Sequence, residues 1–150
     1  MVSAISSMLA TNMSEYQITY GTRLFNHLPI TLGALNYCDA NEKQLTSFFT
    51  HYTERLSERI RQQHDNDPIG QQSDVLYQYY LESLRRIGIE QTLDNELERL
   101  LPGIVAGGFY AINRLANAVA CQDRSEIAMS LVCWRVYYLE LGPLGGNVAK

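Results

Sequence analysis

Three side chains in this sequence, His27, Tyr110 and Arg114, have the chemistry to move a proton or hold an oxygen atom. His27 follows Asn26 at a helix start, and an imidazole that titrates near neutrality can serve as general acid or base. Tyr110, Asn113, Arg114 and Asn117 recur at steps of three and four, which places them on one polar ridge of an otherwise apolar helix. An arginine flanked by tyrosine and asparagine in an internal cavity would bind a carbonyl, phenolate or carboxylate of a small ligand. The competing reading pairs Arg114 with an acidic neighbour, or lets it reach solvent, and turns Asn113 and Asn117 outward. Both stay open at this stage.

Other chemistries lack their residues. A helical di-iron site needs Glu-x-x-His pairs and a zinc protease needs His-Glu-x-x-His, and neither spacing occurs. His51 with Glu54 reads as a solvent-facing pair, and His64 lies in a polar loop. No metal is expected. There is no Gly-rich phosphate loop after a strand, and the glycines of Gly103–Gly108 read as helix packing sooner than as an anion site. Cys38, Cys121 and Cys133 are odd in number and far apart, which suits neither a disulfide framework nor a zinc site and predicts a reducing, cytoplasmic setting.

A net charge of -4 and a pI near 5.3 give no electrostatic reason to expect nucleic acid or an anionic membrane as partner. At the N-terminus Ile5, Met8, Leu9, Met13 and Tyr16 are spaced as a helix face and not as a signal peptide. The longest uncharged stretch is broken by Asn113, Arg114 and Asn117, so no membrane span is predicted.

The elements that must position the three residues follow from periodicity and caps. A length of 150 residues suits one domain, 1–150, with an unstructured tail over 143–150. After the first helix and a turn-prone Gln17–Thr22, a helix runs from Asn26 to about Tyr37, with Asn26 as cap and Pro29 in the first turn. Asn41 and Gln44 form a capping box for a helix whose stripe is Leu45, Phe48, Phe49, Tyr52, Leu56 and Ile60. A long loop, Gln62–Gln72, ends at a Ser73 cap, and the next helix buries Leu76, Tyr79, Tyr80, Leu84 and Ile87 before Gly88 stops it. A short helix over Glu90–Leu100 leads to a central apolar helix over about 102–120. The last helix is capped by Asp123 and turns Ile127, Leu131, Trp134, Tyr138 and Leu141 inward. Seven helices without a strand pattern predict an all-α bundle around residues 102–120.

Phe25–Leu56 carries Asn-His-x-Pro, an Ala-Leu run and Phe-Phe-x-x-Tyr-x-x-Arg-Leu, and Leu97–Val119 together with the helix around Trp134, Tyr137 and Tyr138 continues in order. In these segments, which cover nearly the whole chain, the sequence resembles the questin oxidase-like family. The resemblance implies an all-helical oxidoreductase acting on a bulky aromatic, polyketide-like molecule, with NADPH as reductant. It implies His27 as acid or base, Arg114 steadying a substrate oxygen, Tyr110 donating a hydrogen bond, and Asn26, Asn113, Trp134 and Tyr138 lining the substrate. Where the family commonly has Phe-His, this chain has Phe109-Tyr110. The alternative is a non-catalytic helical domain that binds a hydrophobic ligand or forms a homodimer through an exposed apolar face.

Overall fold

The computed structural model of the protein describes residues 4–20, 24–56 and 68–142. Among these residues six α-helices account for nearly all regular structure, so the fold is all-α as expected, with one helix fewer than the seven predicted. Ile60, the tail 143–150 and most of the loop Gln62–Gln72 lie outside the described residues.

Helix α1 (Ala4–Glu15) buries Ile5, Leu9 and Asn12, one face at steps of four and three. The turn after it is a small antiparallel hairpin, β1 (Thr19–Tyr20) against β2 (Leu24–Phe25), which the polar composition of the segment did not announce. Helix α2 (Leu28–Tyr37) begins two residues later than expected. The N-cap is His27, which makes no side-chain cap bond, and not Asn26 as expected; Asn26, one position earlier, accepts the Leu28 N–H on its Oδ1 at 3.0 Å. At α3 (Glu42–Thr53) the capping box forms in full: Gln44 N–H donates to Asn41 Oδ1 at 3.0 Å and Asn41 N–H to Gln44 Oε1 at 2.9 Å.

Helix α4 (Pro68–Leu100) starts five residues before Ser73, which is buried inside it instead of capping it. Proline is tolerated there because a first-turn N–H has no intrahelical partner. Gly88, with φ 84° and ψ 175°, a region open almost only to glycine, breaks this span into two helical segments that meet at a kink, as its expected role as a stop requires, and the Thr92 hydroxyl bonds back to the Gly88 carbonyl at 2.7 Å. Of the expected stripe Tyr80 and Leu84 are buried, whereas Tyr79 and Ile87 are exposed.

The expected central helix over 102–120 is not continuous. Leu101–Gly103 form a 3-10 turn, further turns follow, and α5 spans only Tyr110–Ala120. Three successive residues, Gly107, Gly108 and Phe109, have φ of 59°, 66° and 67°, and a right-handed helix cannot pass through them. The centre of the fold is instead α6 (Arg124–Val136), where every residue from Glu126 to Trp134 is buried. Asp123 caps it by accepting the Glu126 N–H at 3.0 Å. Tyr138 and Leu141 fall beyond its end and are exposed, contrary to the expectation that they turn inward.

Helix α6 packs against α4 and α5, while α2 lies between α5 on one side and α1 and α3 on the other. The apolar core divides accordingly: one cluster joins Tyr80, Leu84, Leu100, Leu115, Ile127, Leu131 and Trp134, and a second joins Ile5, Leu9, Leu28, Leu32 and Leu45. No helix among the described residues is long and apolar enough to cross a membrane.

Candidate functional site

The seam between the two clusters is polar. Arg114, on the inner face of α5, is fully buried beside Glu126 on the first turn of α6. Its Nε donates to Glu126 Oε1 and its Nη2 to Glu126 Oε2 at 3.1 Å, a bidentate pair. Nη1 donates to the Tyr110 hydroxyl at 3.1 Å and to Cys133 Sγ at 3.3 Å. Burial opposes the charge of the guanidinium, but Glu126 more than restores it, and Arg114 titrates above its ordinary value. Burial likewise pushes the Glu126 carboxyl up, with Arg114 acting against the rise, and raises the Cys133 thiol.

Tyr110 links this pair to the site of His27. Its hydroxyl donates to the Asn26 carbonyl at 2.7 Å and accepts from Arg114, so both of its roles are filled within the protein. Burial pushes the phenol well up, and it stays protonated. Asn26 is almost fully buried and equally committed: Nδ2 donates to Asn12 Oδ1 at 2.8 Å and to the Gln17 carbonyl at 3.2 Å, and the Asn26 N–H donates to Ile18 at 2.8 Å.

His27 is exposed above this knot. Its Nδ1 lies 2.8 Å from the Phe25 carbonyl, which can only accept, so the Nδ1 position carries the proton. That leaves Nε2 with a lone pair and no partner among the described residues. The His27 ring meets the Tyr110 ring edge-on at 5.3 Å, Tyr110 stacks on Phe25 at 4.6 Å, and Phe25 meets Tyr137 at 5.1 Å. The His27 N–H donates to the Tyr52 hydroxyl at 3.2 Å. Burial, with a hydrogen bond to Tyr20, pushes the Tyr52 phenol up to about 12, against a lowering pull from the His27 amide.

His27, Tyr110, Arg114 and Asn26 are therefore contiguous, although Asn26 and Tyr110 lie 84 positions apart in sequence. The remaining candidates are elsewhere. Asn113 is exposed and its carbonyl accepts from Asn117 Nδ2 at 2.9 Å, while the Asn117 side chain packs against Gly33 of α2. Trp134 is fully buried and its Nε1–H donates to the Gly103 carbonyl at 3.0 Å; the Tyr138 ring covers the same glycine. The aromatic layer beside His27 is built by Phe25 and Tyr137, which the sequence reading did not single out. It also missed Glu126 as a site residue, although Glu126 is the last acid before Glu140 and shares a helix face with Ser130 and Cys133.

Two cavities flank the ion pair. One, about 10 Å³, touches Asn12, Gln17, Asn26, Arg114 and Met129 and has room for about one water molecule. The other, about 210 Å³, lies between α1 and the start of α6. Neither fits a nicotinamide dinucleotide: both are too small, the larger is lined by Asp123 and Glu126, and the one arginine at the smaller is already paired. Among the described residues no group of three His, Cys, Asp or Glu side chains could hold a metal ion.

No family model, no curated protein and no solved structure matches this chain.

Proposed function

We propose that this chain is a questin oxidase-like oxidoreductase, or a reduced relative of one, that acts on a bulky aromatic, polyketide-like molecule through acid–base chemistry at His27. The observation that carries the reading is the His27 imidazole itself, with its Nδ1 proton anchored on Phe25 and its Nε2 lone pair free, standing over an aromatic layer. An imidazole held in one tautomer takes a proton from an acidic hydroxyl or an activated carbon without first reorienting. A planar substrate stacks on the same rings.

In this reading Arg114 and Tyr110 act as positioning residues. The Glu126–Arg114 pair fixes Tyr110, Tyr110 holds the Asn26 carbonyl, and Asn26 precedes His27. Neither cavity fits the dinucleotide.

The test is turnover of a panel of hydroxylated anthraquinones, followed by their visible absorbance with and without NADPH. Wild-type protein is expected to convert at least one of them, and His27→Ala to lower the rate on the order of 10²-fold or more at unchanged stability. Turnover unaffected by the substitution removes His27 from the chemistry, and conversion of none removes the enzymatic reading.

A second reading, a non-catalytic domain that binds a protein partner or a second copy, is favoured by one observation. Leu101, Phe109, Tyr138, Leu139 and Leu141 are all exposed, and the Tyr138 ring against Gly103 brings the two segments together as one apolar face.

A further inference from the structure

The 210 Å³ cavity between α1 and α6 has two unlike walls. Leu9, Ala10 and Met13, with Ser6 at their edge, form one; Asp123, Ser125 and Glu126 form the other. We propose that it is a binding site for a compact neutral aromatic molecule of one or two rings that carries a hydroxyl group. The site is distinct from the exposed face of His27, and it stands whether or not His27 turns anything over.

Volume sets the size class. An apolar cavity of roughly 150 Å³ accepts a benzene ring, so this one takes a ring with substituents or a fused pair. Besides the Ser6 hydroxyl, the α1 wall offers hydrocarbon and the Met13 thioether, both suited to the edge and face of an aromatic ring. The α6 wall offers acceptors. Asp123 uses Oδ1 for the Glu126 N–H, and Glu126 is neutralised by its bidentate contact with Arg114.

Charge then selects among ligands of that size. The Glu126 charge is matched by Arg114, whereas no cation pairs with Asp123 among the described residues. An anionic ligand would meet that carboxylate directly and is rejected. The helix start partly offsets the Asp123 charge, so the wall favours a neutral hydroxyl donor over a full cation. Met13 also lines the small cavity beside Arg114 and Asn26, so a bound ring would lie one side chain away from the buried pair.

The experiment is a titration of full-length protein carrying 13C-methyl methionine with 2-naphthol, 2-naphthoate and 1-naphthylmethylammonium, read at the Met13 methyl resonance. We expect a saturable shift with 2-naphthol, and about tenfold or greater weakening for the anion and the cation. Ala10 is exposed on α1, so Ala10→Phe fills the cavity without disturbing the core, and it should abolish the shift while circular dichroism stays native. Asp123→Asn keeps the helix cap and should bring the naphthoate affinity within a few-fold of that for 2-naphthol. No Met13 shift with millimolar 2-naphthol, equal affinity for 2-naphthoate in the wild type, or unchanged 2-naphthol affinity in folded Ala10→Phe would each overturn the proposal.

Discussion

At the scale of single residues, the fold hangs on one buried charge pair. Two ions in a dry interior attract strongly, yet each has lost its hydration, so such a pair adds little net stability while either ion left alone is very costly. Arg114→Ala and Glu126→Ala are therefore each expected to destabilise by about 3–5 kcal/mol in urea unfolding, and the double change Arg114→Met with Glu126→Leu by less than either single one. An additive double change would show that the two side chains act independently. Arg114 and Tyr110 were legible in the sequence, because a charge in so apolar a stretch demands an explanation, whereas Asn113 and Asn117 of the same expected ridge turn elsewhere. The acidic partner of Arg114 was not, because a glutamate three residues after an aspartate cap is equally explained by the cap.

Tyr52 carries a pH prediction of its own. Its phenol titrates at about 12 in the fold against an ordinary value of 10, so the folded state holds the proton longer. Between those values the native state binds more protons than the unfolded chain, and stability must fall as pH rises from 10 to 12. Tyr52→Phe is expected to flatten that decline, measured as the urea midpoint at pH 9 and pH 11. A decline of unchanged steepness would assign the effect to Tyr80 and Tyr110, whose phenols burial also pushes up.

At the scale of elements, the glycines decide where helices can run. Gly88 and Gly107 both have positive φ, but their surroundings differ: a Cβ at Gly88 meets nothing within 4 Å, and one at Gly107 lies 2.7 Å from the Phe25 ring. Gly88→Ala should therefore cost only the backbone term, about 1–3 kcal/mol. Gly107→Ala should cost more, because Phe25 must move, and it should also shift the His27 ring resonances through the stacked rings. Thermal unfolding and imidazole NMR check the two. Periodicity and caps made α2, α3, the break at Gly88 and α6 readable. The stretch over 102–120 was not, because apolar composition without charge reads as helix whether or not a run of glycines turns left-handed within it. The hairpin was missed for a related reason: two residues per strand are too few to show alternation.

At the scale of the whole molecule, the two readings of function predict different particles. An enzyme working at His27 needs no partner and should sediment as a monomer of 17.0 kDa. Docking through the exposed face of Phe109, Tyr138, Leu139 and Leu141 with a second copy predicts twice that mass, and Leu139→Asp with Leu141→Asp should return it to the monomer without loss of stability. A monomer at all concentrations up to the millimolar range removes the homodimer. A dimer would favour the docking reading, although the His27 ring itself contacts Tyr110, which is not part of that face.

The chain has a single tryptophan, and it is Trp134, fully buried with its indole N–H tied to the Gly103 carbonyl. The indole therefore serves as an intrinsic optical gauge of the join between the last helix and the turn before α5. Its emission should be blue-shifted in the native state, move red when that join opens, and respond to Gly103 substitutions before the rest of the molecule unfolds. A lag between that signal and far-ultraviolet circular dichroism would mark the turn as the first part of the fold to come away.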